Sequence, residues 1–471
     1  MLRFFRRKEE PLPYPKGYNA WAYMARALPK VVGANSYIQL KGGGRRKVVL
    51  LNNAATTPPF ERTLKKVNEF LHTYGALHRG VGPHARLTFE QTEAAMQTIR
   101  EFLGMHEDQA LLFTANASMA INLFVRLLRL TKDDVILTSN IEHSSNTLPW
   151  QYNVDTAATT DYVDAFDDGS LDYDDLERKV AEYGPRLKLI AITGASSLTG
   201  QILDLERLSR LAHGQGAILF IDAAQLAPHR PINMKKQGVD ALAFSAHKLY
   251  APFGLGVLAV PTSMLDTRPA DLGGGSADMV TNTNTVWAPA AERHQTGTLN
   301  ATGVVATAES CKTIMDTGWD AIIAHEKELT RYAAEQLATV PGITLYVPPE
   351  KYLSEDRLGI FTFNLKGVHH ALLSAILDNE YSIESRAGTI CNHRLVRRWF
   401  HVDDVAQKNI EEKIAGGDRL ASYGIVRISL GIHNSKKDVD ALVSALKSIA
   451  TGKHSHSYTS VPAEGIYVCE I

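Results

Sequence analysis

Residues 217–260 read AILFIDAAQLAPHRPINMKKQGVDALAFSAHKLYAPFGLGVLAV. Two apolar runs, 217–221 and 241–244, have the length of strands buried on both faces. Each gives way to polar groups: Asp222 and Gln225 after the first, Ser245, His247 and Lys248 after the second. Open α/β sheets bind their ligands in the crevice beyond the carboxyl ends of the strands. Taken alone, Ser-x-His-Lys fits an ordinary buried strand with a surface lysine equally well, because short motifs misfire often. Asp-x-x-Gln at the end of the other run weakens that plain reading considerably.

A carboxylate and a lysine delivered to one crevice suit pyridoxal phosphate (PLP), which needs a lysine to anchor it and an acid partner for its ring nitrogen. The cofactor drains electrons from a carbanion best when that nitrogen stays protonated, and an Asp held against it favours the charged form. The lysine must be nucleophilic near neutral pH, so its surroundings have to lower its pKa. Ser245 and His247 flank it with donors suited to a phosphate.

The stretch resembles the cofactor core of class V aminotransferases (PLP fold type I), and most of all the cysteine desulfurases of the SufS and selenocysteine lyase branch. The similarity runs from about residue 48 to 450. It implies an α/β fold in which a large domain has a mostly parallel central sheet covered by helices, followed by a smaller α+β C-terminal domain. The expected division is an N-terminal arm packing on the small domain (1–46), the large PLP-binding domain (47–306), the small domain (307–450) and a polar tail (451–471).

Composition agrees with an enzyme of this kind. Of 471 residues, 45% are hydrophobic and 21% charged, ordinary globular usage for a chain of two domains. Lys plus Arg (50) balances Asp plus Glu (51), so nothing points to nucleic acid or a membrane surface. No apolar run approaches the ~20 residues that span a bilayer, and the basic start MLRFFRRKEE lacks the apolar region of a signal peptide. Cys311, Cys391 and Cys469 are too few for a disulfide framework, which fits a reducing cytoplasm.

Residues 48–57, VVLLNNAATT, read as a strand entering a turn and are similar to the opening of the family, with Asn52 replacing its usual Asp. ALHRGVGPHA (76–85) resembles the family's Val-His-Arg-Gly segment and puts His78, Arg79 and His84 near the mouth of the site; a lone His is more often structural. Residues 88–103 have helical spacing and end at Gly104, a C-cap. After a short strand at 111–114, ANASMAINLFVRLL (115–128) opens a helix on a small polar turn. Such a terminus favours an anion, though an N-cap serine has the same signature. By the resemblance, Ala117 and Ser118 belong to the phosphate site, Ser118 standing where the family has Thr.

A strand at 135–139 leads into Glu142-His143-Ser144-Ser145-Asn146, which resembles the family's Glu-His-His-x-Asn. That match gives His143 a place on the PLP face and a part in proton transfer, where spacing alone reads a loop histidine. A strand at 187–192 precedes Ser197, which stands where the family has an Asn near cofactor and substrate. ADLGGGSADMV (270–280) reads as a flexible Gly-rich loop. RHQTGTLNATG (293–303) is similar to the family segment whose Thr, here Thr298, reaches the PLP phosphate of the partner subunit, which implies a homodimer with a shared site. An ordinary turn is the plain alternative.

The spacing predicts one long helix over 307–340, strands at 358–365 and 425–430, and a last helix at 437–449. Arg427 matches the family's carboxylate-binding Arg, and an arginine fork holds a carboxylate in two hydrogen bonds. ESRAGTICNHRLVRRWF (384–400) holds Arg386, a second carboxylate contact by the resemblance, and Cys391, where the family places its nucleophile. Arg386, His393, Arg394, Arg397 and Arg398 make a setting that favours a thiolate, but Gly388-Thr389-Ile390-Cys391-Asn392 replaces the usual Gly-His-His-Cys-Ala.

The resemblance thus implies removal of sulfur from L-cysteine, giving alanine and a persulfide on Cys391 that passes to a sulfur-acceptor protein. Two alternatives stand beside it. One is another class V reaction, transamination or C–S lysis on a different amino acid without Cys391. The other is a scaffold without catalysis, which the set Asp222, Gln225, His247, Lys248 and Arg427 argues against.

Overall fold

The computed structural model describes residues 28–40, 43–77, 80–152, 158–266 and 273–470. The first part of the N-terminal arm, together with His78 and Arg79, lies outside the described residues.

Seven strands form the central sheet: β1 (Gln109–Thr114), β2 (Val135–Ser139), β3 (Thr159–Val163), β4 (Leu187–Thr193), β5 (Ile218–Asp222), β6 (Ala241–Ser245) and β7 (Gly256–Pro261). Their order is β1-β7-β6-β5-β4-β2-β3. Every pair is parallel except the two made by β7. The runs that open the sequence argument are β5 and β6, side by side near the middle. Leu219, Ile221, Leu242 and Phe244 join one apolar cluster, whereas Phe220, Ala241 and Ala243 join another, so successive side chains enter opposite buried faces. That is why neither run alternates apolar with polar. Phe220 stacks on Phe124 with ring centroids 4.6 Å apart, and each such ring contributes about 1.5–3 kcal/mol by burial.

Helices α1 (Glu61–Leu71), α2 (Pro83–Leu103), α3 (Ala117–Leu127), α4 (Leu205–His213) and α5 (Ala301–Thr317) accompany this sheet. Gly104 caps α2 in the left-handed conformation, as its position suggests. The long helix expected over 307–340 is two helices, α5 and α6 (Trp319–Leu337). Gly318, at φ 87°, breaks it in a conformation that L side chains rarely adopt.

Strands β8 (Ile343–Leu345), β9 (Ile360–Leu365), β10 (Arg386–Gly388) and β11 (Ile425–Ser429) make a second, antiparallel sheet in the order β8-β9-β11-β10. Its apolar face packs with residues of α6, α7 (His370–Tyr381) and α8 (Lys436–Ala450) in a separate cluster. Val49 and Leu51 belong to that cluster, and Asn52 bridges to Ser429, so the start of the VVLLNNAATT segment runs along the smaller sheet before crossing to the larger one.

The described part of the N-terminal arm divides between the two clusters. Val31 pairs with Phe60 in the large one, while the Arg46 guanidinium lies 5.5 Å over the ring of Tyr381, which packs against the small one. The C-terminal residues fold back as a hairpin, β12 (Ser457–Val461) and β13 (Ile466–Glu470). The Glu380 carboxylate of α7 ties it down, accepting from Ser455 N at 2.8 Å and from the Tyr458 hydroxyl at 3.1 Å. No helix among the described residues is long and apolar enough to cross a membrane.

Candidate active site

The carboxyl ends of β2, β4, β5 and β6 open on a cavity of about 290 Å³. Asp222, Gln225, Ser245, His247 and Lys248 line it from the β5 and β6 ends; Ala117, Ser118, His143 and Ser197 enter from the turns after β1, β2 and β4. Arg386 and Arg427 close it from the smaller sheet, on adjacent strands where their Cα positions are paired. The two sheets therefore meet at this cavity. Among the residues singled out by sequence, His78 lies outside the described residues, and Thr298 and Cys391 line other cavities.

Lys248 sits in a single 3-10 turn directly after β6. Burial pushes its pKa down to about 8, opposed by the Asp222 charge and aided by Arg427 and Arg386. An amine in that range is partly unprotonated near neutral pH and can act as a nucleophile. Asp222 is 5% exposed at the end of β5. Burial raises its carboxyl above the ordinary value, while the Ala224 N–H at 3.0 Å and the Lys248 charge hold it down. The Asp is thus a buried acceptor facing the cavity that holds a lysine.

At the anion end, the first turn of α3 faces Ser245. The Ala117 N–H donates to Ser245 Oγ at 2.7 Å. Gly256 permits that approach, since a Cβ there would meet the Asn116 carbonyl at 2.3 Å. Asn116 caps α3 by accepting from Met119 N, and Ser118, whose hydroxyl pairs with Ser145 Oγ at 2.5 Å, lines the cavity. A helix N-terminus with neighbouring hydroxyls is suited to a phosphate. The VVLLNNAATT segment braces this end: Thr56 and Thr57 hydroxyls each donate to the His247 carbonyl at 3.1 Å.

His143 lines the cavity beside this anion end, its Nδ1 3.0 Å from Ser145 Oγ, which in turn pairs with Ser118 Oγ. The same Nδ1 accepts the Ser145 N–H at 3.1 Å, which leaves the ring proton on Nε2. Burial, then the charges of Lys248, Arg427 and Arg386, lower its pKa to about 3, so the ring is neutral at physiological pH. Arg427 is 2% exposed. Its Nη1 donates to the Ser197 carbonyl at 3.0 Å and its Nη2 to Asn52 Oδ1 at 3.4 Å. Burial and the nearby Arg386 both lower its proton affinity, yet a guanidinium remains charged at neutral pH. Its Nε, Ser197 Oγ and Gln225 Oε1 are buried polar atoms with no hydrogen-bond partner among the described residues. Leaving such groups unpaired costs about 1–3 kcal/mol each, so the cavity is built for a ligand that supplies both donors and acceptors.

Cys391 is placed next door. Ile390, not Cys391, lines the lysine cavity. Cys391 lines a neighbouring cavity of about 690 Å³ that shares Ser118, His143 and Ser145 with the first. Both Ile390 (φ 51°) and Cys391 (φ 58°) are left-handed, a conformation costly for residues with a Cβ and worst for a β-branched one. The loop is held in it by hydrogen bonds to the His143 turn. The Cys391 carbonyl accepts from Ser144 N at 2.7 Å and Ser144 Oγ at 2.9 Å, and Asn392 Nδ2 donates to the Ile141 carbonyl at 2.7 Å. Thr298 is exposed, beside Leu299 and Phe89 in a third cavity of about 550 Å³.

Sequence reasoning passed over Glu142, Ser145 and Ile390. Glu142 carried a signal, an acidic residue three positions past the end of a buried strand; Ile390 carried none, because its place depends on a backbone conformation foreign to Ile.

Comparison with known proteins agrees with this geometry. Residues 49–442 match the family described as aminotransferase class-V. A probable cysteine desulfurase of Halalkalibacterium halodurans is 30% identical over 390 residues, covering 82% of this chain and 88% of the relative. One from Staphylococcus aureus strain COL is 30% identical over 392 residues, with the same coverage. Among solved structures, the apo cysteine desulfurase of Thermococcus onnurineus NA1 superposes with a TM-score of 0.75 at 27% identity, over 86% of this chain and 95% of that one. The cysteine desulfurase CsdA of Escherichia coli gives 0.73 at 27% identity, over 87% and 96%. With the family match spanning both sheets and the cavity between them, the chain belongs to the class V aminotransferases.

Proposed function

We propose that this protein is a PLP-dependent cysteine desulfurase that takes sulfur from L-cysteine onto Cys391 and releases alanine. The observation that carries the reading is the single cavity that gathers Lys248, Asp222 and Arg427 beside the loop of Cys391. The names of the relatives, cysteine desulfurases from several organisms, point the same way.

The residues present fit PLP. Asp222 would face the ring nitrogen, the first turn of α3 with Ser118 and Ser245 the phosphate, and the unpaired Gln225 Oε1 a ring donor. Bound there, PLP supplies an electron sink that labilises the bonds at the substrate Cα and Cβ. Lys248 anchors the cofactor and moves a proton at Nζ, for which a pKa of about 8 is well matched. Arg427, with Arg386 beside it, takes the substrate carboxylate in a two-bond fork. His143, neutral and carrying its proton on Nε2, holds or passes a proton at the cavity wall. The Cys391 sulfur attacks the substrate sulfur: an S–S bond forms, the Cβ–S bond breaks, and its electron pair stays on the carbon, which is protonated to give alanine. We also infer a homodimer in which Thr298 serves the partner's phosphate site, and a protein that accepts the sulfur.

A second reading, C–S lysis or transamination without Cys391, is favoured by one observation, the position of Cys391 outside the lysine cavity. Anaerobic turnover of L-cysteine, following alanine and sulfide in wild type and Cys391→Ala, separates the two. Alanine and sulfide lost together in the variant support desulfuration; pyruvate from both proteins establishes the lyase.

A further inference from the structure

Between the lysine cavity and the Cys391 cavity lies a turn, residues 141–146, that serves both. Its inner side presents His143 to each cavity, and its outer side holds the Cys391 loop through Ser144 and the Ile141 carbonyl. The acid of this turn, Glu142, lines neither cavity. It is 3% exposed and accepts three hydrogen bonds: Ser139 Oγ at 2.6 Å, Asn146 Nδ2 at 2.7 Å and Thr193 N at 2.9 Å. These partners lie at the end of β2, the far end of the turn and the end of β4. Thr193 is in turn paired with Asp222 on β5.

We propose that Glu142 is a positioning residue for both His143 and Cys391, its carboxylic oxygens clamping the turn to two strand ends. This rests on the proposed roles of those two residues. The polarity of the clamp is fixed from outside. Trp150 Nε1–H donates to Asn146 Oδ1 at 3.1 Å, so the Asn146 amide must present its N–H to Glu142. Thr193 presents a backbone N–H, which cannot turn. Both oxygens of Glu142 are therefore obliged to accept. Burial raises the carboxyl pKa to about 8, and Ser139 Oγ is placed to take the proton of the neutral acid while leaving both acceptor contacts intact.

This polarity gives a swap test. Glu142→Gln keeps the shape but, in either orientation of its amide, sets an N–H against Asn146 or Thr193. Adding Asn146→Asp restores the match, since the carboxylate introduced at position 146 accepts both from the new amide at position 142 and from Trp150. Two readouts follow in PLP-loaded protein: kcat, and the rate of Cys391 alkylation by iodoacetamide read on its own peptide. Glu142→Gln should lower kcat, by on the order of 100-fold for a ring displaced by roughly 1 Å, and speed alkylation severalfold as the loop is released. The double variant should recover both. Ile99→Ala, a cavity in the core at a residue 0% exposed, controls for general loss of stability and should move neither. Wild-type values in Glu142→Gln, no recovery in the double variant, or the same changes in Ile99→Ala each overturn the proposal. Failure of the wild type to bind PLP would strike the preceding reading instead, and alkylation without cofactor still tests this one.

Discussion

Replacing Lys248 by Met should make the protein without cofactor more stable, and only over a defined pH range. Folding holds the Lys248 pKa at about 8 against an ordinary 10.5. Each factor of ten in proton affinity corresponds to roughly 1.4 kcal/mol, so the buried ammonium opposes folding by at most about 3 kcal/mol. The sign follows from which state binds the proton more tightly. Below pH 8 the lysine is charged in both states and the full cost is present; above 10.5 it is neutral in both and the cost is gone; between them it falls as pH rises. Methionine has a similar length without the charge. Urea denaturation of cofactor-free wild type and Lys248→Met at about pH 7 should show a gain approaching roughly 3 kcal/mol, shrinking towards zero as the pH nears the ordinary lysine value. An equal gain at both pH values would mean packing rather than charge. No gain at neutral pH would mean that Lys248 is not held in a low-dielectric crevice, and the reason given for its nucleophilicity would fail with it.

Three further outcomes are expected. Arg427→Met should raise KM for L-cysteine far more than it lowers kcat, by about 100-fold or more, because two charge-assisted hydrogen bonds of roughly 1.5–3 kcal/mol each are lost; an unchanged KM would remove Arg427 from substrate binding. Gly256→Ala should weaken PLP binding, measured by equilibrium dialysis, because its Cβ would lie 2.3 Å from Asn116 and displace the first turn of α3; unaltered affinity would argue against a phosphate there. Borohydride treatment should fix the cofactor covalently to wild type and not to Lys248→Ala, and label retained in the variant would assign the anchor to another lysine.

The central crevice was legible because its signals are local. Two apolar runs ended on Asp222 and Lys248, and a parallel sheet brings the ends of neighbouring strands together wherever the chain runs between them. Arg427 was harder: only a match at its position in VRISLGIHN suggested it, and its place depends on the smaller sheet docking against the larger. The break at Gly318 hid inside a sequence whose helical period continues on both sides. Cys391 was legible as a residue but not as a location, because Ile390 and Cys391 adopt a backbone conformation that sequence patterns assign to Gly or Asn. Its hold on that conformation comes from Ser144 and Ile141, far away in sequence. Glu142 shows the same limit: a motif displays it, but only the tertiary contact to Thr193, joined to the local one with Asn146, explains why an acid is there.

The most direct test of the account is the mass of the Cys391 peptide after a single anaerobic turnover, with PLP-loaded protein mixed with substoichiometric L-cysteine and quenched before any reductant is added. The account predicts one added sulfur atom on Cys391, in amounts matching the alanine released. Alanine or pyruvate formed while Cys391 stays unmodified would contradict it, leaving the lysine cavity as the whole of the active site.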